Sequence, residues 1–139
     1  MEVSDPFVVY KSTDDGTVFS LIEMIRNGIK FAAFNLFASR TPFTMSEWSS
    51  FLHISDRTMQ RYTKENRTFD PLQSEKIVEI ALLYNKGTEV FGEQGKFDTW
   101  LEAGNLALGN IKPKSLLDNS FGIGLLKDEL VRIEYGILA

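Results

Sequence analysis

An all-α fold is predicted, and three observations predict it. No segment keeps an apolar–polar alternation of period two for long. Apolar residues recur instead at spacings of three and four, the signature of helices with one buried face. The periodic stretches also open on capping chemistry, most plainly in the pairs Thr44/Glu47 and Asp70/Gln73, where an N-cap side chain and a residue three places on satisfy each other's backbone N–H groups. At 139 residues, 43% of them apolar and eleven of them Phe, the chain can bury a core without staples, as one domain or as two small ones sharing a core.

Residues 1–16 read as a flexible arm. Its FVVY segment at 7–10 suits a short strand or packing on the body, and STDDG at 12–16 is turn chemistry. Thr17 to Asn27 should form the first helix, with Val18, Leu21, Ile22 and Ile25 on one face and a stop at Asn27-Gly28. A second helix follows from about Ile29 to Arg40, closed by Thr41-Pro42. Its phenylalanines repeat at helical spacing between polar residues, so they read as core rather than as a ligand pocket or membrane face.

The box Thr44/Glu47 opens a third helix, MSEWSSFLH; the turn ISD and the helix RTMQRYTKEN come next. Helix, short turn and second helix, with Ser55 where the second needs a cap, is the outline of a helix-turn-helix. Trp48, Leu52, Ile54, Met59 and Tyr62 occupy the positions that pack the two helices together. Arg57, Gln60, Arg61 and Lys64 stand at i, i+3, i+4 and i+7 and face away from them. Arginine can bond guanine in two places, glutamine adenine, and lysine a phosphate oxygen, while Ser55 and Thr58 offer hydroxyls to the backbone of DNA. The competing reading is a merely solvated helix face. The whole chain is acidic at −4, but the excess acid is C-terminal: residues 1–69 hold eight Lys/Arg and eight Asp/Glu, and residues 70–139 hold seven and eleven. A local basic patch at one end of an acidic chain suits DNA there and a different partner elsewhere.

Asp70 to Gly92 should form the longest helix, roughly 30 Å of it. Pro71 suits its first position, and it ends at Gly92 or earlier at Gly87. Ile77, Ile80, Ala81, Tyr84, Thr88 and Phe91 make one row and Val78 and Leu82 a second, so it should find partners on two sides. Beyond it, Glu93 to Glu102 is a short helix with Phe97, Trp100 and Leu101 inward, Pro113 to Leu117 another, and Phe121 to Tyr135 the last, with Leu125, Leu126, Leu130, Val131 and Ile133 as its buried side. The domains are then 1–16 (arm), 17–69 (helix-turn-helix module), 70–92 (connecting helix) and 93–139 (C-terminal domain).

Several function classes are excluded. The chain has no cysteine, so disulfides, thiolate metal sites and cysteine nucleophiles are absent, and the single histidine, His53, has no second His or Cys to complete a metal site. No apolar run approaches membrane-spanning length, and the N-terminus lacks a signal peptide's pattern, so no membrane partner is expected and the cytoplasm is the expected compartment. The carboxylates Asp98, Glu102, Asp118, Asp128, Glu129 and Glu134 are scattered along helix surfaces, with no phosphate-binding glycine loop and no nucleophile beside a base. No enzymatic activity, cofactor or metal is expected.

The second half resembles the Xre/MbcA/ParS antitoxins with their C-terminal toxin-binding domain, on Phe91-Gly92, Trp100-Leu101, Asn105, Leu108-Gly109, Pro113, Leu116-Leu117, Gly122 and the closing run Leu130, Arg132, Ile133, Glu134, Tyr135, Gly136. The first half resembles that family's Xre-like module on Gly28, Ile54-Ser55, Arg57-Thr58, Arg61 and Ser74-Glu75. The resemblance covers about residues 17–139, and it rests on the order and spacing of the motifs. Three positions depart from the pattern: Asn110 replaces a common glycine, Tyr135 stands where histidine is common, and His53 sits where such turns usually carry glycine.

The resemblance implies an antitoxin of a type II toxin–antitoxin pair whose partner is a RES-domain toxin that degrades NAD. It implies that the C-terminal domain covers the toxin's active site while the helix-turn-helix represses the pair's own operon, as a homodimer or a larger assembly with the toxin. Candidate toxin contacts are the loop Asn105, Gly109, Asn110 and Lys112, then Arg132 and Glu134, and the end Tyr135, Gly136, Ile137 and Leu138. Two readings of the apolar tail stand: a frayed end, or a segment inserted into the toxin's cleft. The alternative function is a stand-alone helix-turn-helix regulator whose C-terminal half dimerises or senses a ligand.

Overall fold

The computed structural model describes residues 5–7 and 15–136. Seven α-helices account for most of them: α1 Asp15–Asn27, α2 Phe31–Ala38, α3 Met45–Leu52, α4 Asp56–Glu65, α5 Pro71–Phe91, α6 Gln94–Glu102 and α7 Ser120–Glu134, with 3-10 turns at Leu106–Leu108 and Pro113–Leu116. The predicted all-α class holds: extended pairing among the described residues amounts to the isolated bridges Lys30 with Thr68 and Asn105 with Ile111. The described chain divides into two compact units, one up to Leu82 and one from Leu83, and the division falls inside α5.

In the first unit both predicted capping boxes form. Thr44 Oγ1 accepts from the Glu47 N–H at 3.0 Å while Glu47 Oε1 accepts from the Thr44 N–H at 3.0 Å. Asp70 Oδ1 accepts from the Gln73 N–H at 2.7 Å, and Gln73 returns the bond at 3.2 Å. The phenylalanines are core as predicted: Phe31, Phe34, Phe37, Phe43, Phe51 and Phe69 are all buried around a fully buried Trp48. Phe7 joins them, its ring edge-on to Phe37 at 5.3 Å, and Asp5 pairs with Arg40 at 2.7 Å; Asp15 and Gly16, expected in the arm, instead open α1, and arm residues 1–4 and 8–14 lie outside those described.

Helix α2 begins two residues later than the sequence suggests because residues 29–31 are used in pairing. The Phe31 N–H donates to Arg67 O and the Phe69 N–H to Ile29 O, both at 2.8 Å. The Ile29 N–H donates to Ser74 Oγ at 3.0 Å, and that fully buried hydroxyl donates on to Phe69 O. Helix α1 buries a narrower edge than predicted: Leu21 is inside, while Val18 is exposed and Ile22 and Ile25 are only half-buried.

His53 ends α3 with φ 59° and ψ 40°, the left-handed conformation for which glycine is the usual solution. The turn is therefore kept, at a local cost. His53→Gly is expected to raise stability by about 0.5–1 kcal/mol, left-handed strain of about 1–2 kcal/mol being relieved against the extra chain entropy of glycine. Denaturant titration checks this, and a loss of stability would contradict it.

In the second unit, α5 runs through Gly87 without ending there. A Cβ on Gly87 would lie 2.1 Å from the Phe97 ring, so the glycine lets that fully buried ring lie against the helix. The helix stops at Gly92, φ 84°, whose N–H donates to Thr88 O. Phe97 and Leu101 are buried as expected and Trp100 is half-buried, stacked on Phe97 at 5.7 Å. Tyr84 Oη donates to Asp98 Oδ1 at 2.6 Å.

The last helix corrects the sequence reading. Its buried residues are Gly122, Ile123, Leu126, Glu129 and Leu130, while Leu125 and Val131, expected inside, are 53% and 44% exposed, and Ile133 is half-buried. Gly122 sets this phase. A Cβ there would lie 2.1 Å from Leu116 O, so the helix meets the Pro113–Leu116 turn at a position without a side chain. Asn119 Oδ1, accepting from the Gly122 N–H at 2.7 Å, caps the helix in that orientation.

Candidate functional site

The first unit places the predicted DNA-contact residues on one helix. Helix α4 is capped by Ser55, whose Oγ accepts from the Thr58 N–H at 3.0 Å and donates to Thr58 Oγ1 at 3.0 Å. The Ser55 hydroxyl thus holds the turn, while Thr58 Oγ1 accepts there and keeps its own O–H to donate. Ser46 Oγ on α3 reaches across to Asp56 Oδ2 at 3.3 Å, and the Ile54 N–H donates to Ser49 O at 3.0 Å, which fixes the angle between the helices. Met59 is buried under α4 against the core that holds Trp48 and Leu52, with Ile54 and Tyr62 half-buried at its edge. The opposite face carries Arg57, Gln60, Arg61 and Lys64, all exposed. Among the described residues none of these three cations is held in an ion pair, whereas Arg67 is tied to Glu65 at 2.8 Å.

The predicted toxin-contact residues fall into two groups in the second unit. The loop group is internally bonded: the Asn105 N–H donates to Ile111 O, Asn105 O accepts from the N–H groups of Leu108 and Asn110, and Asn105 Oδ1 accepts from the Ala107 N–H at 2.8 Å. Asn105 is thus committed to shaping its own loop. Gly109 and Asn110 turn the chain with φ 74° and 64°, so Asn110 takes the left-handed backbone expected of the glycine it replaces. Lys112 is exposed, 3.8 Å from Glu102, which also pairs with Lys114.

The helix group lies at the end of α7. Arg132 pairs with the buried Glu129 at 3.1 Å, and Glu134 pairs with Lys86 of α5 at 2.7 Å. That hydrogen bond, donated by Lys86 Nζ to the Glu134 carboxylate, is the main reason the Lys86 ammonium titrates above its ordinary range. Glu134 is therefore engaged within its own unit. Tyr135 is 71% exposed, Gly136 closes the helix with φ 67°, and Ile137 and Leu138 lie outside the described residues. Periodicity did not reveal Phe121, 90% exposed on the same helix, or Glu129; the close approach of Gly122 is the signal that would have placed both.

Among the described residues no group of three or more His, Asp or Glu side chains is placed to hold a metal, and no helix is long and apolar enough to cross a membrane.

A capped helix pair with an outward basic stripe, in one chain with a small helical unit of a different character, defines a helix-turn-helix protein with an appended domain. Comparison with known families specifies it. Residues 20–82 match the antitoxin Xre-like helix-turn-helix domain, and residues 86–136 match the antitoxin Xre/MbcA/ParS C-terminal toxin-binding domain. The chain belongs to the Xre/MbcA/ParS antitoxin family. It is similar to the curated antitoxin Xre of Yersinia enterocolitica, 29% identical over 87 residues, which cover 62% of this chain and 59% of that relative. Its fold is similar to a chain in the crystal structure of the M. tuberculosis MbcT-MbcA toxin-antitoxin complex, with a TM-score of 0.58 at 16% identity, over 76% of this chain and 94% of that one.

Proposed function

We propose that this protein is an antitoxin that binds a cognate RES-domain, NAD-degrading toxin, covers its active site with residues 93–139 and represses its own operon through residues 17–69, the helix at 70–92 connecting the two. The observation that carries the reading is the pairing, in one chain, of an unencumbered stripe Arg57, Gln60, Arg61 and Lys64 with a segment matched to a toxin-binding domain. Activity then comes from shape and charge, without bond-making. Arg132, Tyr135, Lys112 and the backbone at Gly109-Asn110 and Gly136 are the toxin contacts in this reading, with Ile137 and Leu138 following them. Asn105 and Glu134, each bonded within the second unit, complete the set of contacts.

On DNA, the N-terminal half of α4 would enter the major groove, Arg57, Gln60 and Arg61 meeting base edges and Lys64 a phosphate. A homodimer would present two such helices to half-sites about 34 Å apart. Replacing Arg57 or Gln60 by Ala is expected to cost about 1–3 kcal/mol at the operator and to relax its sequence preference. Lys64→Ala should weaken all sequences alike and lower the slope of binding against salt by about one. Operator titrations at fixed salt separate these outcomes, and unchanged binding by both Arg57→Ala and Gln60→Ala would show that α4 is not the reading helix.

Neutralisation is tested by co-expression with the toxin of the neighbouring gene. A stable complex and preserved cellular NAD are expected. An uncomplexed protein beside a fully active toxin would favour the stand-alone regulator instead.

A further inference from the structure

Helix α7 keeps large apolar side chains in water. Phe121 is 90% exposed, Leu125 53%, Val131 44% and Tyr135 71%, and at 100° per residue all four fall within about a third of the helix circumference, a sector they share with the exposed Asp128 and Arg132. Gly122, locked against the Leu116 carbonyl on the other side, holds them there. Large exposed apolar side chains that share one face usually mark an interaction site.

Gly124 lies inside this face, one turn from Phe121 and next to Leu125. A Cβ added to it would meet nothing within 4 Å, so the chain's own packing gives no reason for a glycine there. Glycine in a helix interior is unfavourable by about 1 kcal/mol relative to alanine. What it uniquely permits is the close approach of another backbone.

We propose that the outward face of α7 is the surface on which the toxin docks, with a toxin backbone element crossing α7 at Gly124 and Phe121 and Leu125 entering apolar pockets on either side of it. The proposal rests on the antitoxin reading above and names the place of contact. The occupant follows from two observations. The whole exposed face lies within residues 86–136, the segment matched to a toxin-binding domain. Two aromatic and two aliphatic side chains pressed against a second copy of themselves would bury on the order of 1,000 Å² in total, short of the roughly 1,200–2,000 Å² of a stable specific interface. The face therefore needs a larger partner around it.

Three full-length variants test this against the cognate toxin: Gly124→Ala, Phe121→Glu and Leu125→Glu. Gly124→Ala should melt a few degrees higher than the wild type and yet bind toxin at least tenfold more weakly, a combination no purely structural role produces. Phe121→Glu and Leu125→Glu should lose toxin co-purification while keeping helical content and operator affinity. Full toxin affinity in all three variants would overturn the proposal and leave the antitoxin reading standing. A shift from dimer to monomer with toxin affinity unchanged would overturn it in favour of a second copy of this chain. Failure of the wild type itself to bind the toxin would remove both.

Discussion

Gly122→Ala is expected to destabilise the C-terminal unit by about 3 kcal/mol, although glycine to alanine inside a helix normally gains about 1 kcal/mol. The new methyl would stand 2.1 Å from Leu116 O, 2.9 Å from Leu116 Cβ and 3.0 Å from Leu116 C. These are backbone and near-backbone atoms of a turn anchored by the buried Pro113, so no flexible side chain can swing away. Relief requires moving α7 off the turn, which loosens the Asn119 cap and uncovers Leu117, Leu126 and Leu130. The two tryptophans make the effect local and readable, because Trp48 lies in the first unit and Trp100 in the second. Denaturation followed through Trp100 in a Trp48→Phe background should show an early transition, with toxin binding lost and operator binding retained. A midpoint equal to that of the parent would contradict the close contact.

Trp48→Ala should cost about 3–5 kcal/mol, the usual range for emptying a buried indole site. Trp48 is fully buried, with the rings of Phe34, Phe37, Phe43 and Phe51 at centroid distances of 5.0, 5.9, 5.7 and 5.6 Å, all steeply inclined to it. Edge-on contacts of this kind add about 0.5–1.5 kcal/mol per pair beyond the buried area. The residue stands on α3, so its removal should abolish operator binding even though no side chain of α4 changes. Trp48→Phe should be milder. The indole N–H has no hydrogen-bond acceptor among the described residues, and phenylalanine removes that buried donor together with part of the volume. Operator titration and thermal melting of the two variants rank them; equal losses would show that the aromatic cluster is not what orients α4.

The N-terminal half was legible because its signals are local and chemical. The boxes Thr44/Glu47 and Asp70/Gln73 need only their own residues to form, and the stripe Arg57, Gln60, Arg61 and Lys64 needs only helical spacing to face one way. The phase of α7 was not legible, for a physical reason. Leu125, Leu126, Leu130 and Val131 are adjacent apolar pairs, so periodicity fits two faces nearly equally, and a glycine pressed against a distant turn decides between them. Ser74 shows the same limit: its burial between Ile29 and Phe69 depends on pairing across 45 residues. His53 and Asn110 show the converse, since positions where glycine is common kept the left-handed backbone with other residues in place.

The pairing of residues 29–31 with 67–69 sets the two ends of the intervening segment side by side. That segment, Ala32 to Asn66, is a closed excursion from the chain, fastened at its neck, and it carries α2, the turn and the whole reading helix. A cassette with such a neck can be exchanged for one from another regulator without rerouting its neighbours, provided the aromatic positions that fill the neck are kept. On the DNA-binding reading, a change confined to this excursion would alter the helix that meets DNA and leave the course of the remaining chain as it was.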